Sequence, residues 1–216
     1  MTALPAWWEP LRSRAAAAQA SDFTRLPTPS EGGRSSAVLV LFGEDAGDGP
    51  DVLVLERAAT LRNHAGQAAF PGGAEDPEDA DAAATALREA NEEVGLDPRT
   101  VEVVGTLPTL WIPVSRFLVT PVLAWWRAPH PVGPADPAEV ARVVRLPIRD
   151  LVDPGNRLRV RHPSGWIGPA FRVRGILVWG FTAGVLSTLL EMAGWAQPWP
   201  TDRVEQMPIT PATPVP

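Results

Sequence analysis

The chain has 216 residues, 20% of them charged and 45% hydrophobic, with a net charge of −6, no cysteine and arginine as its only strong base. That balance fits a soluble globular domain with one sizeable core. It excludes disulfides, thiolate nucleophiles and zinc–thiolate sites, and it argues against general nucleic-acid binding, which needs a basic surface. No apolar run is long enough to span a membrane. The opening MTALPAWWEPLRSRAAAAQA lacks the apolar core of a secretory signal, so a cytoplasmic protein is expected.

In chain order, residues 5–20 read as a short helix with Trp7, Trp8 and Leu11 on one face, and a Pro/Ser/Gly stretch follows at 27–36. Two β-like runs, Ala37–Phe42 and Val52–Glu56, are separated by the acidic, glycine-rich loop GEDAGDG. Residues 58–72 read as an irregular loop carrying Arg62, His64 and Gln67. The clearest helix runs from about Asp81 to Val94, with Gly95 as its stop. Strands are expected at Val101–Thr106, Phe117–Trp126, Glu139–Leu146 and Arg157–Arg161, and a second helix at Trp179–Ala193. The proline-rich tail is expected to sustain neither helix nor sheet. The division is therefore an extension over 1–35, an α/β layered domain over 36–195, and a mobile tail over 196–216.

Ala83, Leu87, Ala90 and Val94 recur at helical spacing and define a buried stripe. Glu89, Glu92 and Glu93 stand at i, i+3 and i+4 and share a different face. Their mutual repulsion weakens an isolated helix, and a hard divalent cation with oxygen preference removes that penalty. Alone, such a face is more often merely solvated acid. The preceding Phe70-Pro71-Gly72-Gly73 changes the balance, because its glycines let backbone approach an anion or metal closely.

The stretch Gly73 to Leu96, GAEDPEDADAAATALREANEEVGL, resembles the Nudix box G-x5-E-x7-R-E-U-x-E-E-x-G-U. Gly73, Arg88, Glu89, Glu92, Glu93, Gly95 and Leu96 match by type. Asp79 stands where the first Glu is expected, eight residues rather than seven separate it from Arg88, and Ala90 replaces an aliphatic residue. The resemblance implies an α/β/α sandwich with a mixed sheet and hydrolysis of a nucleoside diphosphate linked to another moiety, with Mg²⁺ or Mn²⁺ as cofactor. It implies Glu92 and Glu93 as main metal ligands, Glu89 as a further ligand or water-orienting base, and Gly73 beside the metal. Arg88 would hold a carboxylate in place.

Upstream, LVLERAATLRNHAGQAAFPGG resembles the signature of the coenzyme A diphosphatase branch, with Arg57, Ala58, Arg62, Gly66 and Phe70 to Gly73 at the required spacings. Val54 and Leu55 depart from it mildly, and the Asp79 misfit suits this branch. The implied substrate is coenzyme A or an acyl derivative, cut to 4′-phosphopantetheine and adenosine 3′,5′-bisphosphate. Arg62 and then Arg57 are the candidates for its extra phosphate, His64 and Gln67 for base or ribose, and Gly72 and Gly73 for backbone contacts. Glu139 lies where related sequences place an acidic residue, a candidate base or extra ligand. Trp111 is a candidate for stacking, while His130 and His162 sit beside prolines outside any ligand cluster. ADP-ribose, NAD(H), a capped RNA end and a non-catalytic binding module are the competing readings. The three retained box glutamates weigh against the last, and family habit allows a homodimer.

Overall fold

The computed structural model describes residues 4–29, 32–61 and 64–207. Helices α1 (Glu9–Ala15) and α2 (Ala20–Phe23) precede strands β1 (Arg34–Asp45) and β2 (Gly49–Arg57). Two short strands, β3 (Ala68–Ala69) and β4 (Gly72–Ala74), lead into helix α3 (Ala82–Val94). Then come β5 (Val101–Thr106), β6 (Leu110–Ile112), β7 (Phe117–Trp126) and β8 (Val140–Pro147). The remainder is α4 (Ile148–Val152), β9 (Arg157–Arg161), β10 (Ile167–Val173), β11 (Ile176–Val178), α5 (Gly180–Met192) and β12 (Val204–Gln206). No described helix is long and apolar enough to cross a membrane.

The fold is the expected α/β/α sandwich. β1 lies at the centre of a mixed sheet, parallel to β7 from Arg34↔Phe117 to Phe42↔Trp125 and antiparallel to β2 and β4 on its other side. Its alternate residues are buried on opposite faces, as the two-residue period of a strand requires. Ala37, Leu39 and Leu41 pack with Ala86, Ala90 and Val94 of α3. Val40 and Phe42 pack with Trp8 and Leu11 of the N-terminal segment and with Leu186, Leu189 and Leu190 of α5. The apolar stripe read along α3 is the face it buries. Asp81 caps that helix by accepting from Ala84 N at 2.8 Å, and Gly95 ends it at φ +70°.

Three expectations need correction. The single helix over 5–20 is a turn at Ala6–Trp8 followed by α1 and α2. It belongs to the main core, since Trp8 meets Phe42 edge-on at 5.4 Å between ring centres. The loop over 58–72 contains β3 and begins β4. The proline-rich tail does sustain a ladder: Val204–Gln206 pairs in parallel with β9, within the proline-free run Thr201–Met207. Residues 208–216 of the expected mobile tail lie outside the described residues.

Trp199 anchors this return. Arg157 is fully buried, donates to Ser187 Oγ at 2.8 Å, and is sandwiched between Phe171 and Trp199 at 4.7 and 4.6 Å from the ring centres. A desolvated cation–π contact is worth about 2 kcal/mol. Trp199→Ala should therefore lower the melting temperature by about 5 °C, read by calorimetry. An unchanged melting temperature would show that the tail is not fastened there.

Candidate active site

The site is assembled where the β3–β4 segment wedges between β1 and β2 and hands the chain to α3. Leu39 N donates to Pro71 O at 2.7 Å, fixing the glycine turn on β1. Gly72 (φ +155°) is forced by contact: a Cβ there would lie 2.3 Å from Ala37 O and 2.6 Å from Val38 Cα. A Cβ on Gly73 would lie 2.5 Å from the carboxylate carbon of Glu89. The two glycines thus bring strand backbone and helix carboxylates into direct apposition, a closeness no other residue type permits.

Each box glutamate has a distinct environment. Glu93 is nearly enclosed, accepts from Gly72 N at 3.0 Å and lies 3.9 Å from Arg57 Nη1. Burial pushes its carboxyl up to about 7, against the pull of the Gly72 hydrogen bond and Arg57, and Glu89 and Glu139 add like charge. Glu89, tucked against Gly73, is also raised by burial, with Arg88 opposing. Glu92 is the most exposed of the three, its side chain 57% accessible.

Arg88 binds this face together. It donates to Asp79 through Nε and Nη2 at 3.1 and 2.9 Å, to Glu89 at 2.9 Å, to Glu92 at 3.2 Å and to Ala74 O at 3.1 Å. The two-pronged bond holds the Asp79 carboxyl far below the usual range. Asp79, the apparent misfit of the box, is the anchor of this arginine. The Ala74 carbonyl had no signal in the sequence.

The expected substrate residues divide. Arg57 ends β2 facing Glu93, and its Nε is buried without a hydrogen-bond partner. His64 (φ +57°) and Gln67 bond to each other at 2.9 Å on the surface of the loop. Arg62 lies outside the described residues. Glu139 immediately precedes β8, accepts from Ala58 N through its carbonyl at 2.8 Å, and brings its charge near Glu93. Just before it, Gly133 N and Ala135 N donate to the Val94 and Glu93 carbonyls at 3.1 and 3.0 Å, closing the end of α3. Trp111 lies in β6 opposite Leu118, half-buried against Gly33. His130 accepts from Asp97 N at 3.1 Å and meets Trp126 edge-on, and His162 bonds Ser164, so both are structural.

Among the described residues no three acidic or histidine side chains already converge on one metal position. The donor chemistry nevertheless fits a hard divalent cation: carboxylates on one helix face oppose the glycine backbone, with Arg88 now supplying their positive charge.

The profile of the NUDIX domain matches residues 33–164. The chain is 40% identical over 151 residues to a Cronobacter sakazakii protein named uncharacterized Nudix hydrolase NudL, covering 67% of this chain and 76% of that one. It is 40% identical over 168 residues to the protein of the same name in Citrobacter koseri, covering 74% and 83%. Its fold is similar to that of RenU, a Nudix hydrolase from M. smegmatis, with a TM-score of 0.54, 22% identity and coverage of 76% and 88%. The chain therefore belongs to the Nudix family and is a hydrolase acting on phosphoric anhydrides.

Proposed function

We propose that the protein hydrolyses the diphosphate bond of coenzyme A or its acyl derivatives, giving 4′-phosphopantetheine and adenosine 3′,5′-bisphosphate. The observation that carries this reading is the placement of Arg57. The first arginine of the coenzyme A-type signature stands 3.9 Å from the buried box glutamate Glu93. Signature and box thus meet at one point, where a guanidinium can take a diphosphate oxygen.

Nudix hydrolases use divalent ions such as Mg²⁺ or Mn²⁺. Glu89, Glu92, Glu93 and the Gly73 backbone would hold that ion. When bound, it supplies charge neutralisation for the diphosphate and a lowered pKa for water. Arg88, fixed by Asp79, orients Glu89 and Glu92. Glu139, whose charge acts on Glu93, would accept a proton from the attacking water. Arg57 at the end of β2 would draw the substrate in, with Arg62 as a further phosphate contact and His64 and Gln67 toward the base or ribose.

Purified protein in Mg²⁺ or Mn²⁺ should show its highest kcat/KM on coenzyme A or an acyl-coenzyme A among a panel including ADP-ribose, NAD⁺ and NADH. A clear preference for ADP-ribose or a dinucleotide would replace this substrate. No turnover of any diphosphate would point instead to a ligand-binding role.

A further inference from the structure

In a chain of net charge −6, many arginines meet a carboxylate, but among the described residues two at the start of β1 and β7 do not. Arg34 opens β1 and Arg116 immediately precedes β7, and Arg34 N donates to Arg116 O at 3.0 Å, so the two stand side by side. Neither guanidinium has a hydrogen bond or ion pair among the described residues. That of Arg34 lies 5.0 Å from the centre of the Phe117 ring. Arg116, at φ +57°, turns its Nη2 toward Gly32 at the approach to β1. A guanidinium without a carboxylate partner among the described residues favours the approach of an anion.

Their place relative to the reacting centre is set by the strand. Arg34, Ser36 and Val38 alternate onto the face of β1 opposite the one packed on α3, and the Gly72 backbone lies against Val38. Four residues of strand span roughly 13 Å. A nucleoside diphosphate with its diphosphate at Gly72–Gly73 can run along β1 and carry a sugar phosphate to Arg34. A cleft of about 290 Å³ at Arg34 is bordered by Ser35, Ala74, Glu75, Asp76 and Pro77. Its acidic wall disfavours a free anion, whereas a phosphate tethered to a bound nucleoside gains from both arginines.

We propose that Arg34 and Arg116 determine specificity by reading a phosphate on the nucleoside part of the substrate, away from the bond that is cut, with Phe117 holding the Arg34 guanidinium in place. This rests on the reading above that the substrate carries such a phosphate. It adds to Arg62 a second, independently testable contact.

Calorimetry on the full chain with Mg²⁺ tests it, using adenosine 3′,5′-bisphosphate and adenosine 5′-monophosphate as probes. The wild type should prefer the bisphosphate by at least about tenfold, as charge-assisted contacts imply. Arg34→Gln should remove most of that preference, and Arg34→Gln/Arg116→Gln nearly all of it. The ratio of kcat/KM for coenzyme A over dephospho-coenzyme A should fall in parallel. The proposal is overturned if the wild type shows no preference, if the double variant keeps it, or if Arg62→Ala alone accounts for it. An arginine-dependent preference without coenzyme A hydrolysis would remove the substrate reading and leave this contact standing. Coenzyme A hydrolysis indifferent to both arginines would do the reverse.

Discussion

Glu93→Gln should lower kcat by at least about a hundredfold, the scale expected when a ligand to a catalytic metal is neutralised. The fold should survive, because a glutamine oxygen can still accept from Gly72 N. A second readout separates this from damage. Without metal, burial raises the Glu93 carboxyl to about 7 from an ordinary value of 4.5. The folded protein then holds this proton more tightly than the unfolded chain. Stability from this group is fully present below about pH 4.5 and declines as pH rises through about 7, by a few kcal/mol at most. Metal-free wild type should therefore unfold in less urea at pH 8 than at pH 5, and the glutamine variant should lose less over that interval. Equal activity of variant and wild type with metal present would remove Glu93 from the chemistry.

The second large effect separates two adjacent glycines. Gly72→Ala drives a methyl group into the Ala37 carbonyl and the Val38 backbone, neither of which can yield without breaking the β1–β4 pairing. Together with φ +155°, this should cost about 3–5 kcal/mol and lower the melting temperature by roughly 10 °C. Gly73→Ala meets only the far end of Glu89, which can swing away. Its melting temperature should stay within about 2 °C, while kcat falls at least tenfold as Glu89 is displaced. Full activity in Gly73→Ala would show that the tucked position of Glu89 is dispensable.

How much of this was legible follows from the range of each signal. The α3 helix was readable because its apolar stripe, its Asp81 cap and its Gly95 stop all lie within one short segment. The family and the hydrolase chemistry were readable because the box is also contiguous. The enclosure of Glu93 was not, since it depends on Gly72 and Arg57 arriving from other strands. The pairing of Asp79 with Arg88 was not legible, because the two become neighbours only when the loop folds back. Strand β10 was hidden by Gly168 and Pro169, and β6 and β11 by their brevity. The return of the tail depends on Arg157, whose aromatic partners lie far apart in sequence. Arg34 carried no motif at all, and only the pairing of β1 with β7 brings it beside Arg116.

The segment 133–139 gives helix α3 and the loop after β2 a common support. It closes the carbonyl end of α3 through Gly133 and Ala135, then takes the Ala58 amide on the Glu139 carbonyl where the signature loop departs. If α3 carries the chemistry and the loop after β2 the substrate choice, as proposed, the two are not interchangeable modules. Transplanting residues 57–69 into another Nudix scaffold should transfer specificity only when 133–139 travels with them, since otherwise the new loop would leave the strand at the wrong angle.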